Sequence, residues 1–307
     1  MTVPERRRVG LAAGEIAYLD EGQGPAVVLL HGFPTSAHLW RDLVPMLAPR
    51  FRAIAPDLLG YGHSSKPADV DALTIRAQAR TVRDLLEHLG IEEFAVVGHD
   101  IGGGIAQLLA FDGGVHTMVL TDTISLDSWP IEAVKMIAGA PDEQVTEDFA
   151  ADLARVAFDV GMSHREQLAD EDLEEYLRPW RREPMALVRA ARAIDGEGLR
   201  DSEDRLRNLD QRVLIAWGED DPFHGAERAE RLGELLPGAT VGLLPGCGHF
   251  ITEDAPETVL PLMARYLETH ELGGHAHAER TPIELGISLQ RPARPSVPEG
   301  FEDIEED

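Results

Sequence analysis

Short apolar runs recur along the chain, and each ends in, or is followed directly by, a glycine, histidine or aspartate. Residues 26–30, 94–100 and 212–218 are three such runs, and residues 37–48 are one of the helical stretches. Strands of this length that alternate with helices predict βαβ units, and therefore an α/β fold with a mostly parallel sheet and helices on both faces. Sites in such sheets form where the strands end at their carboxyl edge, so the residues just after each run are candidate functional residues.

Residues 127–208 interrupt this alternation, because they are acidic, show helical spacing and contain no strand pattern. We interpret them as a helical cap inserted between two strands of a core that comprises residues 1–126 and 209–271. A cap at the carboxyl edge would cover the site and exclude water. Residues 272–307 are either a disordered tail or an arm in which residues 283–290 add a strand to a neighbouring subunit. A homodimer is one expected assembly, and the arm is the residue-level argument for it.

The net charge of −27 excludes some classes of partner. Nucleic acid and anionic membranes would both repel so acidic a surface, so we expect neither as a partner. A high-salt cytoplasm would screen the repulsion, which favours a halophilic source. The alternative is a GC-rich genome, because all but two of the 28 basic residues are arginines.

The cellular compartment is predicted from what the sequence lacks. The single cysteine, Cys247, excludes a disulfide framework and a cysteine-rich metal site. No apolar run approaches the roughly 18–20 residues of a membrane span, and the basic N-terminus has no apolar stretch behind it. We therefore expect a cytoplasmic protein without a signal peptide.

The segment 96–104, VVGHDIGGG, joins a strand to a helix through Asp100. Its glycine spacing is that of a nucleophile elbow, with Asp100 where serine usually stands. Such a turn exposes its central side chain above the sheet and places backbone N–H groups of the following helix beside it. The alternative is an aspartate that caps an ordinary helix, and the glycines alone do not decide between the two.

A second motif, His-Gly-Phe-Pro at 31–34, follows the strand at 26–30 directly. An oxyanion hole needs two N–H donors near the nucleophile, one of them from the residue after it. We predict that the backbone N–H groups of Phe33 and Ile101 fill these positions. An ordinary loop between a strand and a helix is the alternative for this motif.

The remaining two motifs supply a histidine and its acid. His249 lies in a glycine-rich loop directly after a predicted strand, and Asp221 follows the strand at 212–218. A carboxylate in this position would orient the histidine and stabilise its protonated form. Asp122, at the end of residues 117–122, is a second candidate for the orienting acid. The order nucleophile, acid, histidine is the one used by hydrolases of this architecture.

With these four motifs together, residues 8–271 resemble the α/β-hydrolase family, cap included. Aspartate at the elbow resembles the epoxide hydrolase and haloalkane dehalogenase branch, and residues 31–41 and 55–67 are similar to stretches common there. The resemblance implies an enzyme that needs no cofactor and no metal and acts on a small apolar organic molecule. Asp100 would form an alkyl ester with the substrate, and water activated by His249 would hydrolyse that ester.

The substrate class follows from departures from the family pattern. Haloalkane dehalogenases hold the leaving halide with Asn and Trp side chains at the positions of Phe33 and Ile101, neither of which can donate a hydrogen bond. Fluoroacetate dehalogenases carry arginines near the nucleophile, and residues 101–109 contain none. We therefore predict epoxide hydrolysis ahead of haloalkane or haloacetate dehalogenation. A catalytically weak hydrolase fold that serves for binding is the third alternative.

Three further side chains are candidates for contact with the substrate or leaving group. Epoxide hydrolases use cap tyrosines to protonate the epoxide oxygen, and the cap offers only Tyr176. Trp180, one helical turn later, would donate its indole N–H to a halide or pack the cap against the core. His31, in the His-Gly-Phe-Pro motif, is the third candidate.

Overall fold

A central sheet of eight strands organises the part of the chain that the computed structural model describes, residues 5–270. The strands lie in the order β1-β2-β4-β3-β5-β6-β7-β8. The first two form an antiparallel hairpin, β2 pairs antiparallel with β4, and every other neighbouring pair is parallel. The strands are β1 (Arg6–Leu11), β2 (Gly14–Glu21), β3 (Ala26–Leu30), β4 (Arg52–Pro56), β5 (Phe94–His99), β6 (Val115–Thr121), β7 (Arg212–Gly218) and β8 (Ala239–Leu244).

Eleven α-helices accompany the sheet in this part of the chain. They are α1 (Leu43–Leu47), α2 (Ile75–His88), α3 (Ile101–Asp112), α4 (Glu132–Ala138), α5 (Glu147–Gly161), α6 (Asp170–Arg182), α7 (Pro184–Ala193), α8 (Glu203–Arg207), α9 (Glu227–Leu235), α10 (Ile251–Asp254) and α11 (Pro256–Thr269). All residues of β3 and β5 are buried, as expected for parallel strands covered on both faces. The predicted α/β-hydrolase architecture is confirmed.

The helix predicted over residues 37–48 is divided in two. A short 3₁₀ helix, Ala37–Trp40, precedes α1, and the side chain of Ser36 accepts a hydrogen bond at its N-terminus. Pro45 has no N–H to donate to the carbonyl of Arg41, and its ring would clash with that carbonyl in a continuous helix. The proline therefore accounts for the break.

Helices α4 to α8 all lie between β6 and β7 in the sequence, and no strand occurs in this stretch. Two hydrogen bonds tie α6 to the loop after β3. The indole N–H of Trp180 donates to the carbonyl of Pro34 at 2.9 Å, and His38 Nε2 lies 2.8 Å from Asp172 Oδ1. The helical insertion thus packs on the carboxyl edge of the sheet, where the predicted site residues lie.

No helix of the described chain has the length and apolarity needed to cross a lipid bilayer. The predicted tail or arm, residues 272–307, lies outside the described residues.

Candidate active site

Asp100 stands between β5 and α3 in a strained backbone conformation, with φ 51° and ψ −120°. Non-glycine residues rarely adopt such angles unless the surrounding structure enforces them. Here the backbone is fixed on both sides, because the Asp100 N–H donates to Thr121 O at 3.2 Å. The Asp100 carbonyl accepts the Gly103 N–H and the Thr123 hydroxyl, each at 3.0 Å. The elbow therefore holds its side chain in one place.

Glycines make room for this elbow. A Cβ on Gly32 would lie 2.5 Å from Asp100 Cβ, and a Cβ on Gly102 would overlap the carbonyl of Leu30. Only glycine allows backbones to approach so closely. The glycine spacing in the sequence thus reflects the contact between the loop after β3 and the turn after β5.

The two carboxylate oxygens of Asp100 have different surroundings. Oδ2 accepts a hydrogen bond from the backbone N–H of Phe33 at 2.8 Å. Oδ1 has no hydrogen-bond partner among the described residues, and neither oxygen receives a bond from the N–H of Ile101. One oxygen is thus held by a predicted oxyanion donor, while the other has no partner in the described chain.

His249 pairs with Asp221, as its Nδ1–H donates to Asp221 Oδ2 at 3.0 Å. Burial lowers the pKa of His249, but the negative charge of Asp221 and this hydrogen bond outweigh it, so the net shift is upward. Asp221 is itself oriented, because its Oδ1 accepts the backbone N–H groups of Phe223 and His224 at 2.8 and 3.1 Å. The acid is thus fixed from one side and orients the imidazole on the other.

The loop that carries His249 is anchored to the helical insertion. The His249 N–H donates to the carbonyl of Gly161, the last residue of α5, at 2.7 Å. The Asp254 carboxylate accepts the backbone N–H groups of Gly248 at 2.7 Å and of Ser163 at 3.0 Å. The position of His249 therefore depends on the insertion as well as on the sheet.

Asp122, the other candidate acid, does not hydrogen-bond to His249. Its Oδ1 accepts the Gly218 N–H at 2.8 Å, and its Oδ2 has no partner within residues 5–270. Burial and the nearby charge of Asp221 hold the pKa of Asp122 well above its usual range. Asp122, Asp221 and His249 offer ligand atoms within 4.8 Å of one another, but Nδ1 of the histidine is already used by Asp221.

The hydroxyl of Tyr176 is engaged by a second acidic side chain. It donates to Glu253 Oε1 at 2.6 Å, and Glu253 also accepts a two-pronged pair of bonds from Arg41 at 2.7 and 2.8 Å. Burial and the charge of Glu253 raise the pKa of this tyrosine well above its usual range. Such a hydroxyl gives up its proton less readily than a free tyrosine.

Trp180 and His31 are likewise held by backbone groups. The indole N–H of Trp180, the donor predicted for a halide, is bonded to Pro34 O. His31 Nδ1–H donates to Gly32 O at 2.9 Å, and its Nε2 accepts the Leu58 N–H at 3.0 Å. His31 thus joins the loop after β3 to the loop after β4.

Comparison with known proteins identifies the family. A family model described as the alpha/beta hydrolase fold matches residues 25–256. The chain belongs to the α/β-hydrolase family. Within it, the hydrolase is 31% identical over 271 residues to a soluble epoxide hydrolase of Corynebacterium sp. (strain C12), a match that covers 81% of this chain and 92% of that protein.

Two further relatives place the hydrolase in the epoxide hydrolase and dehalogenase branch. It is 30% identical over 301 residues to a fluoroacetate dehalogenase of Burkholderia sp. The match covers 90% of this chain and 98% of that protein. The solved structure of the epoxide hydrolase CorEH without ligand matches with a TM-score of 0.74 at 25% identity, covering 86% and 99% of the two chains.

One residue of the site escaped sequence analysis. His224 follows Asp221 by three positions in the loop after β7, and its Nε2 lies 3.7 Å from Asp100 Oδ1. Burial would raise the pKa of Asp100, but His224 and His249 outweigh it and hold the carboxyl below its usual range. The sequence offered one signal for His224, its position in the loop after a strand, because residues in such loops are candidate site residues.

Proposed function

We propose that this hydrolase opens epoxides through a covalent ester on Asp100. The observation that carries the proposal is the asymmetry of the Asp100 carboxylate. Its Oδ2 is held by the Phe33 N–H and its Oδ1 is unbonded, and His249, which is paired with Asp221, is near enough to lower the pKa of Asp100. A free carboxylate oxygen fixed in a buried elbow is a nucleophile suited to an sp³ carbon.

In the first step, Asp100 Oδ1 attacks a carbon of the epoxide, and the bond from that carbon to the ring oxygen breaks. The ring oxygen takes up a proton, and the product is a hydroxyalkyl ester whose carbonyl oxygen is Oδ2. The elbow supplies orientation for this attack, since the strained backbone and its hydrogen bonds fix the carboxylate before substrate enters.

In the second step, His249 removes a proton from water, and the resulting hydroxide adds to Cγ of Asp100. Negative charge develops on Oδ2, where the Phe33 N–H already donates. Asp221 stabilises the protonated imidazole, which then gives its proton to the departing diol oxygen.

The side chains around Asp100 favour an epoxide over a halide. Phe33 and Ile101 have no side-chain donor, and the indole N–H of Trp180 is bonded to a backbone carbonyl. Residues 101–109, which follow the nucleophile, contain no arginine that would hold a haloacetate carboxylate. The relatives include both activities, so the substrate class rests on these side chains.

The test is to trap the ester in His249→Gln, which retains the nucleophile and lacks the base. The variant is incubated separately with styrene oxide, 1-bromobutane and fluoroacetate, and its intact mass is measured. We expect an adduct with the full mass of styrene oxide on Asp100, and none when Asp100→Asn is added as the matched control.

Two results would overturn the proposal. An adduct that carries an alkyl group without its halogen, with none from the epoxide, would make the protein a dehalogenase. No adduct from any compound, together with no turnover by the wild-type protein, would support the binding-protein alternative.

A further inference from the structure

The imidazole of His224 is fully buried, and neither ring nitrogen has a hydrogen-bond partner within residues 5–270. Buried polar side chains nearly always have a partner, and exceptions concentrate at functional sites. The unpaired Nε2 faces the unpaired Oδ1 of Asp100 at 3.7 Å. Two unsatisfied groups are thus directed at each other, with a gap longer than a hydrogen bond between them.

The backbone of His224 is fixed although its ring is not hydrogen-bonded. Its N–H donates to Asp221 Oδ1 at 3.1 Å, and its carbonyl accepts the indole N–H of Trp217 at 2.8 Å. The ring lies beside Trp129 and His249, with centroids 5.4 and 5.5 Å away. A rigid backbone that presents an unbonded titratable ring to the nucleophile is the arrangement expected of a group that reacts.

The proposed reaction requires a proton that no assigned residue supplies. An epoxide oxygen leaves as a strongly basic alkoxide unless it is protonated as the ring opens. The sequence-based candidate, Tyr176, donates its hydroxyl to Glu253 instead. Within residues 5–270, the unpaired Nε2 of His224 lies 3.7 Å from Asp100 Oδ1, where it can carry a proton to a group that reacts with this oxygen.

We propose that protonated His224 gives its Nε2 proton to the departing epoxide oxygen and recovers a proton from Asp100 at the end of turnover. The inference rests on the proposed epoxide hydrolase function and assigns the acid of its first step.

The proton balance supports this cycle. Water contributes two protons to the diol that forms from the epoxide. His249 carries one of them to the oxygen that leaves the ester, and the other remains on the oxygen newly added to Asp100. That oxygen belongs to the regenerated carboxyl group, 3.7 Å from His224 in the resting protein. Transfer from a carboxylic acid to a neutral imidazole is favourable and restores both groups to their starting state.

The same cycle separates epoxides from halides. A halide leaves as a stable anion and needs no proton, so His224 is required only when the leaving atom is oxygen. This difference gives an experiment with an internal reference, because both electrophiles report on the same attack by Asp100.

The experiment measures the rate of ester formation on Asp100 in the His249→Gln background, by intact mass and peptide mapping. The added variant is His224→Gln, and the probes are styrene oxide and benzyl bromide. We expect the epoxide to react at least about 100-fold more slowly than in the parent. Benzyl bromide should slow much less than the epoxide, and its slowing measures any change in the ionisation of Asp100 that the loss of His224 causes.

The matched control is His99→Gln in the same background. His99 is also a buried histidine next to the elbow, and its Nε2–H donates to the His249 carbonyl at 3.1 Å. Its loss displaces neighbouring groups without removing the proposed acid, so both electrophiles should slow by similar factors. Circular dichroism checks that each variant folds, and His224→Asn replaces His224→Gln if the latter does not.

The outcomes distinguish this inference from the proposed function. If the parent forms no epoxide adduct, the proposed function fails and the inference fails with it. If the parent reacts with styrene oxide and His224→Gln reacts equally fast, only the role of His224 is overturned. Equal slowing of both electrophiles in His224→Gln would also overturn it, because that result describes a structural role.

Discussion

Polar groups in two neighbouring regions of this hydrolase differ in how completely they are hydrogen-bonded. Where α6 meets the core, the Tyr176 hydroxyl donates to Glu253, which in turn binds both terminal nitrogens of Arg41. At the carboxyl edge of the sheet, Asp100 Oδ1 and both ring nitrogens of His224 have no partner in the described chain. Tyr176 and Glu253 are buried like Asp100 and His224, so exposure of these four side chains to solvent does not explain the difference.

On the proposed function, the difference separates groups that hold the helical insertion in place from groups that react with substrate. A buried polar atom without a partner destabilises a protein by roughly 1–3 kcal/mol. A bonded network removes that penalty but is no longer available to a ligand. We therefore expect substitutions at the interface of α6 to change stability, and substitutions at the sheet edge to change activity.

The largest effect in this comparison is expected from Asp221→Asn. Loss of the carboxylate removes the partner that orients His249 and stabilises its protonated form, so hydrolysis of the ester should slow by about 10³- to 10⁴-fold. The rate of ester decay after a single turnover measures this directly. Asp122→Asn is the matched control and should stay within about tenfold of the wild type, because Asp122 accepts the Gly218 N–H and does not hydrogen-bond to His249.

The pH dependence of ester decay sharpens this prediction. His249 acts as a base only when neutral, so the rate should rise as pH increases through its raised pKa. In Asp221→Asn the charge that raises this pKa is absent while burial still lowers it, so the inflection should move to lower pH.

A larger loss of the ester-decay rate in Asp122→Asn than in Asp221→Asn would make Asp122 the orienting acid.

A smaller effect, on stability, is expected from Glu253→Gln. The substitution leaves the guanidinium of Arg41 without its main partner in a largely buried position, so the free energy of unfolding should fall by about 2 kcal/mol. Equilibrium unfolding in denaturant measures this change in the free energy of unfolding. Glu132→Gln, which breaks an exposed pair with Lys135, should change stability by less than about 0.5 kcal/mol.

The smallest effect is expected from Tyr176→Phe. The hydroxyl binds Glu253, so its loss should lower stability by about 1 kcal/mol and leave epoxide opening within about threefold of the wild-type rate. Stopped-flow measurement of adduct formation checks the rate. A fall of 100-fold or more would show that Tyr176 is the acid, and would remove the distinction between the two regions.

Local pattern was enough to predict most of the fold. The strands at 26–30 and 212–218 have the predicted bounds. Such strands can be predicted from neighbouring residues alone, because a short apolar run marks the strand and the polar or glycine residues after it mark its end. The single helix predicted over residues 37–48 was wrong. The prediction relied on the spacing of apolar residues, but Pro45 lacks the N–H that a continuous helix needs at that position.

Partner choice at the site was harder to predict. Sequence position placed Asp221 and Asp122 at the same edge of the sheet, but it left open which of them would contact His249. The loop after β7 turns so that Asp221 meets the imidazole, while Asp122 is held by the Gly218 N–H. His224 was overlooked for the same reason, because its ring reaches Asp100 across more than a hundred residues of chain.

The sequence by itself determined the order of strands and helices, the strained turn at Asp100 and the supply of an acid and a histidine after later strands. These features follow from composition and spacing within a few residues. Only the tertiary structure decided that Asp221 orients His249, that Tyr176 and Trp180 bond to the core, and that His224 faces Asp100. Such pairings join loops that are remote in the chain, and their geometry is fixed by how the sheet and the helical insertion pack together.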